Sequence, residues 1–144
     1  MTLSVEDRLD IGDLLVRYAT GIDRRDWDLF RTVFTEDCVS DYGDIGTWHG
    51  VEEITSFMEQ AHSGAGHTQH RITNQVVTAT AEGATARSYV DSVVMGLDGA
   101  DGVQAIGFYD DVLVRADGRW QVARRSFTLV LMQAVANLSH SPSA

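Results

Sequence analysis

The feature that most constrains the fold lies after residue 67. Four runs, "HRITNQVVTATA", "ATARSYVDSVVMGL", "VQAIGFYDDVLVRA" and "RWQVARRSFTLVLM", are rich in β-branched and aromatic residues. Short polar stretches, "AEG", "DGADG" and "ADGR", separate them. Such side chains suit a pleated, half-buried surface, and the intervening Gly and Asp residues reverse the chain cheaply. The spacing predicts a meander of four long antiparallel strands. Gly96 and Gly107 fall inside strand patterns, where glycine marks a bulge or a strong bend.

The first third has a helical period instead. In "SVEDRLDIGDLLVRYATGID", Ser4 is a candidate N-cap, with Glu6 and Asp7 in the first turn. Ile11, Leu14, Leu15, Tyr18 and Ile22 recur on one face. "WDLFRTVF" predicts a short second helix burying Trp27, Phe30, Val33 and Phe34. "GVEEITSFMEQAH" predicts a third helix with Val51, Ile54, Phe57, Met58 and Ala61 inward, ended by the glycines of "SGAG". "CVSDY" adds a short strand before it. Helices followed by a curved sheet describe an α+β domain, a cone of antiparallel or mixed strands wrapped over three N-terminal helices. A pocket inside such a cone is the default place for small-molecule chemistry. The domain is expected over residues 1–136, with 137–144 a flexible tail.

Composition removes several classes of function. The chain has 144 residues and a formal net charge of −10, with its basic residues scattered. Nucleic acid and anionic membranes need a concentrated positive face, so neither is an expected partner. No apolar run approaches the roughly 20 residues of a membrane span. The acidic start, "MTLSVEDRLD", lacks the pattern of a signal peptide, so the expected location is cytoplasmic. All 11 basic residues are arginine. Without lysine, Schiff-base chemistry and covalent pyridoxal phosphate are excluded. The single cysteine, Cys38, reads as small apolar filler.

The segment "GHTQHRITNQVV" carries two histidines three residues apart. On a strand, such residues point to opposite faces. His70 shares a face with Ile72, Asn74 and Val76, and His67 with Gln69, Arg71 and Thr73. The first face is the more apolar, so His70 is expected inside and His67 outside, and the two should not share a metal ion. No metal or other cofactor is expected. Asp23 follows the last apolar position of the first helix, beside Arg24 and Arg25. Taken alone it is either a site acid or a solvated charge.

The stretches "DLLVRYATGIDRRDWDLFRTVFTEDCVSDYG", "HRITNQVV" and "DGRWQVARR" together resemble the nuclear transport factor 2-like superfamily, in its SnoaL-like branch. The resemblance runs from about residue 5 to residue 132. Relatives include scytalone dehydratase, bile acid 7α-dehydratase, hexachlorocyclohexane dehydrochlorinase, ketosteroid isomerase, limonene epoxide hydrolase and polyketide cyclases. Eliminating members use an Asp–His dyad inside the cone, which the resemblance carries to Asp23 and His70. Tyr18 matches a tyrosine of the bile acid enzyme, and Arg125 matches an arginine of the dehydrochlorinase. The dehydrochlorinase has lysine where this chain has Tyr18, so its leaving-group chemistry need not transfer.

The resemblance implies a cofactor-independent lyase of dehydratase type, or an isomerase, acting on a hydrophobic, oxygenated small molecule. His70 would be the base, Asp23 its orienter, and Tyr18 and Arg125 polar stabilisers. Arg125 shares a face with Ala123, Phe127 and Leu129, and an interior arginine needs an anionic partner, for which Asp23 and Asp91 are the candidates. Asp91 is either a second pocket acid or an outward charge. Tyr109, Trp48, Phe57, Met95 and Phe127 are candidate walls. Asp41 and Tyr42 lie beside the expected mouth without a role, and His49 and His62 are expected in solvent. The alternatives are a ligand-binding or assembly module without turnover, a polyketide cyclase and an epoxide hydrolase. A homo-oligomer, dimer or trimer, is expected.

Overall fold

The computed structural model describes residues 2–139. Helix α1 spans Val5–Asp23. Ser4 caps it as expected: its Oγ accepts from the Asp7 amide while the Asp7 carboxylate accepts from the Ser4 backbone, a reciprocal capping box. Ile11, Leu14, Leu15, Tyr18 and Ile22 are all buried. Helix α2 is only Trp27–Arg31, because Val33 is already in the turn and Phe34 begins strand β1, Phe34–Asp41. A single 3-10 turn, Gly43–Ile45, leads to β2, Thr47–His49, and then to α3, Val51–His62.

In α3 the buried positions are Ile54, Thr55, Met58 and His62, whereas Ala61 is exposed. The expectations for Ala61 and His62 are therefore both corrected. The helix faces the core along the 51, 55, 58, 62 row, which a step of four from Met58 reaches at His62 rather than Ala61.

The four predicted strands are β3, Ala65–Ala79, β4, Ala84–Gly96, β5, Asp101–Ala116, and β6, Arg119–Ala136. The six strands form one sheet in the order β2-β1-β6-β5-β4-β3. Only β1 and β6 run parallel, so the sheet is mixed. Asp117 and Gly118 both have positive φ, the two-residue turn that matches strand twist between β5 and β6. The helices pack on the concave face. At one end of the cone the rings of Tyr18, Phe30, Phe34 and Tyr109 meet with centroids 5.3–6.1 Å apart.

Two irregularities re-aim side chains. In β3 the register shifts between Thr73 and Val76, and Asn74 takes a positive φ of 51°. The extra residue reverses the alternation, so Val77 and Ala79 turn inward while Val76 is exposed. Val76 is thus not on the His70 face. Between β5 and β6 the pairing jumps from Gly107↔Leu129 to Ile106↔Leu131, which makes Val130 the extra residue. Gly107 does mark a bend; the bulged residue lies across from it. Gly96 simply ends β4, paired with Ala65.

Cys38 is buried, and burial pushes its thiol up to about 11, in keeping with a filler role. The Asn137 amide donates to the Ala100 carbonyl and its side chain to that of Gly99. Of the expected tail, residues 140–144 lie outside the described residues. Among the described residues no helix is long and apolar enough to cross a membrane.

Candidate active site

The last residue of α1 meets the start of β3. His70 Nδ1 lies 2.7 Å from Asp23 Oδ1, and the His70 backbone amide donates to Asp23 Oδ2 at 2.8 Å. Thr68, two residues earlier on the same face, donates its hydroxyl to Asp23 Oδ1 at 3.0 Å. Arg25 completes the corner. Its backbone is left-handed, and its guanidinium donates to Thr68 Oγ1, the Gly66 carbonyl and the Ile22 carbonyl. It thus supports Asp23 through Thr68, whereas Arg24 is exposed.

Burial raises the Asp23 carboxyl, but the hydrogen bonds from the His70 ring, the His70 amide and Thr68 outweigh it and hold the group below the usual carboxylate range. An ionised carboxylate only accepts hydrogen bonds, so Nδ1 carries the proton of the neutral imidazole and Nε2 is then the free acceptor. The imidazole is 9% exposed and the carboxylate 21%. His67, by contrast, is exposed on the other face of β3. Among the described residues no three of His, Cys, Asp or Glu converge on one point.

His62 is the residue the sequence pattern hid. Its ring centroid lies 5.9 Å from that of His70 and 6.4 Å from that of Trp27. Nδ1 sits 2.7 Å from the Met58 carbonyl and can only donate to it, so Nε2 is again an acceptor. Burial pushes the His62 imidazole below its ordinary value, which favours the neutral form. The available signal was its position four residues after Met58.

The second polar group lies deeper. Arg125 is fully buried and grips Asp111 through two hydrogen bonds of 2.8 Å. Neither Asp23 nor Asp91 is its partner. Asp111 faces Arg125 directly across the β5–β6 ladder, on the same side as buried Tyr109 and Leu113. The guanidinium lies 4.2 Å from the Tyr18 ring centroid and 3.9 Å from that of Tyr109. Its Nη1 finds no protein acceptor among the described residues. Burial disfavours the charge, but the Asp111 carboxylate outweighs this and fixes Arg125 as a cation.

Above it the Tyr18 and Tyr42 hydroxyls are 2.8 Å apart, and Tyr109 donates to Tyr18 at 3.4 Å. Burial pushes all three phenols upward, so each keeps its proton. Tyr42, unassigned in the sequence, is the third member of this cluster. Tyr42 also packs on Trp48 and Phe127, and Trp48 stacks on Phe57 with centroids 4.0 Å apart. Four of the expected wall residues, Trp48, Phe57, Tyr109 and Phe127, thus belong to one aromatic wall.

Asp91 and Met95 do not. Both alternate with inward Val90, Ser92 and Val94, which places them on the convex face. There Asp91 accepts from Arg71 and Gln104. The Gln104 hydrogen bond, and after it Arg71, hold the Asp91 carboxyl low, so it is an ionised surface group rather than a pocket acid. Met95 lines an open cleft of about 550 Å3 at the hairpin end of the sheet, which reaches the Asp23–His70 pair only at Asp23. The concave surface nearer the rim is apolar, formed by Val94, Val103, Ala105, Leu129 and Met132.

Comparison with known proteins places the chain. An uncharacterized protein of Mycobacterium tuberculosis is 30% identical over 123 residues, covering 84% of each chain. A candidate aromatic ring hydroxylase of Novosphingobium aromaticivorans is 31% identical, superposes with a TM-score of 0.82 and covers 96% of this chain and 98% of its own. The hexachlorocyclohexane dehydrochlorinase LinA-type3 of Novosphingobium barchaimii has the same fold, with a TM-score of 0.83 at 18% identity over 96% and 97% of the two chains. The SnoaL-like domain matches residues 3–126, nearly the whole described structure, and the chain belongs to that family.

Proposed function

We propose that the protein is a lyase of dehydratase type, acting without a cofactor on a hydrophobic oxygenated molecule, with His70 as the base and Asp23 as its orienter. The observation that carries this reading is the 2.7 Å contact between His70 Nδ1 and Asp23 Oδ1, in a site where the imidazole is nearly enclosed. The contact fixes the tautomer and stabilises the imidazolium that forms when Nε2 takes a proton. In an elimination the proton leaves the carbon beside a carbonyl, and its electron pair becomes the enolate. The enolate then forms the new C=C bond as the β-hydroxyl departs. The hydroxyl takes the proton from His70, so one water leaves and the imidazole is neutral again.

Tyr42 is the proposed donor to the substrate carbonyl, with Tyr18 and Tyr109 relaying behind it. Arg125 is a positioning residue: enclosed between two rings and committed to Asp111, it acts through the phenols. The wall of Trp48, Phe57 and Phe127 suits an aromatic or polyketide-like ligand. Among the proteins compared above, one is assigned to aromatic ring chemistry and one to an elimination, which agrees with that substrate class and reaction. One observation favours ligand binding without turnover: Asp23 also accepts the His70 backbone amide, so the pair staples β3 to α1 whatever its chemistry.

Wild type and His70→Gln, incubated in heavy water with hydroxy-ketones, steroids and aromatic polyols, separate the two readings by mass spectrometry. Deuterium gain or loss of water with wild type alone, and a drop of about 10²–10⁴-fold in the variant, is the expected result. Thermal stabilisation of both proteins by the same ligand, without exchange or elimination, would move the assignment to the binding module.

A further inference from the structure

Two ring nitrogens at the candidate site are acceptors without partners. His70 Nδ1 is committed to Asp23 and His62 Nδ1 to the Met58 carbonyl, both at 2.7 Å. Each bond leaves the Nε2 of its neutral ring as an acceptor. Among the described residues neither Nε2 has a hydrogen-bond partner, and neither is sealed from solvent. The rings come from different elements, the last turn of α3 and the start of β3, yet their centroids are 5.9 Å apart. Even turned toward each other, the two Nε2 atoms would stand farther apart than the roughly 3 Å of a hydrogen bond, so the rings do not satisfy one another. A ligand that reaches one of them lies within reach of the other.

Packing alone does not explain His62. It lies on the inward row of α3 at 8% exposure, with Trp27 against it at 6.4 Å. A leucine or phenylalanine would fill that place without desolvating a ring nitrogen. Burial pushes its imidazole down, so the ring stays neutral and Nε2 only accepts. The charges nearby narrow the ligand further. Asp23 is countered by Arg25, two hydrogen bonds away through Thr68 at 3.0 and 2.9 Å, so no net negative charge is left to hold an ammonium group. Among the described residues no third ligating side chain joins the imidazoles to make a metal site. A neutral O–H donor is the group that these nitrogens take.

We propose that His62 determines specificity and that the substrate is a diol or polyol: besides the hydroxyl that leaves, it carries a retained hydroxyl that donates to His62 Nε2, beside the carbon that His70 deprotonates. His62 faces this hydroxyl only if His70 faces the carbon acid, so the inference rests on the proposed elimination. It narrows the substrate from oxygenated aromatic or polyketide-like molecules to those with a free hydroxyl at that place. A ketone or methyl ether there would set an acceptor against an acceptor, and the site rejects it. The retained hydroxyl keeps its proton, and the bonds formed and broken are those of the elimination already given.

Catechol, guaiacol and veratrole, with two, one and no hydroxyl donors on the same ring, supply the test. Their binding is followed at mildly alkaline pH through the nitrogen-15 resonances of the histidine rings. Catechol at millimolar concentration is expected to shift the Nε2 resonances of both His62 and His70, as acceptors shift on gaining a donor. Each donor lost is expected to weaken binding roughly tenfold. His62→Phe keeps a ring and should bind catechol no better than guaiacol, whereas His62→Gln keeps an acceptor and should restore part of the preference. Equal binding of the three compounds overturns the inference. So does a His62 Nε2 resonance that catechol leaves in place. The shift needs no variant, so a His62→Phe that fails to fold does not remove the test. Turnover is read separately. Catechol contacts at both rings, without elimination or exchange from any hydroxy-ketone, would leave a diol-binding site and remove the dehydratase reading. Elimination at equal rates from substrates with and without the second hydroxyl would keep that reading and remove the role of His62.

Discussion

At the residue scale, Asp23 does two separable jobs. Its Oδ2 holds the His70 amide and its Oδ1 the His70 ring, so Asp23→Ala removes a structural tie as well as a charge. Asp23→Asn keeps an acceptor oxygen but adds a competing donor, and the imidazole loses its fixed tautomer. Turnover of Asp23→Asn is expected to fall by orders of magnitude, with its melting temperature much closer to wild type than that of Asp23→Ala. Steady-state kinetics beside thermal melts separate the two jobs. Tyr42→Phe keeps the ring packing and loses only a hydroxyl, so a loss of about 10²–10³-fold in kcat with an unchanged fold is expected for a single donor. His62 supplies a pH signature. Its imidazole is pushed down by burial, so the unfolded chain binds a proton that the folded chain resists as pH falls below about 6.5. The stabilisation is complete above that pH and is lost as pH falls toward the lowered folded value. Urea titrations from pH 7.5 to 5 should show this loss in wild type and a shallower one in His62→Gln. Equal slopes would mean that His62 takes up its proton in the folded state as readily as in the unfolded one.

At the element scale, the placement of His70 was legible because strict alternation holds from His67 to Thr73. Helix α1 was legible for a similar reason: one apolar face, a Ser cap and a carboxylate at its last position. What escaped followed from single irregularities. Asn74, one of the few residue types that tolerates a left-handed backbone, inserts an extra position and turns Val76 outward. The Arg125–Asp111 pair was hidden because cross-strand partners depend on register, and a slip between Val112 and Leu113 adjoins Asp111. Gly107 shows how narrow these margins are. A Cβ there would collide with the Thr128 carbonyl and sit 2.6 Å from the Phe127 ring. Gly107→Ala is therefore expected to cost about 1–3 kcal/mol by overpacking and to push Phe127 against Tyr42 and Tyr109. Denaturant unfolding measures the cost. A near-UV spectrum measures the displaced aromatic wall, which a loss confined to the backbone would leave unchanged.

At the scale of the whole molecule, the cone holds two polar devices in different surroundings. The Asp23–His70 pair is partly open and tied to a helix end and a strand start. The Arg125–Asp111 pair is sealed among rings and keeps its charge. Sealing a pair this deeply costs solvation that a hydrophobic pair of similar volume would not, so the pair is a poor device for stability alone. Its geometry offers another use. The guanidinium presses on the faces of Tyr18 and Tyr109, two of the three rings whose hydroxyls are linked, and so fixes where the phenols point. Stability and orientation then separate in a mutant cycle. Asp111→Ala leaves a buried cation without its partner and should lower stability by about 3–5 kcal/mol in urea unfolding. Arg125→Met combined with Asp111→Leu removes both charges and should recover most of that loss. If the pair orients the tyrosines, the recovered double variant still turns over substrate as poorly as Tyr42→Phe. Full activity in a stable double variant would instead reduce the pair to packing.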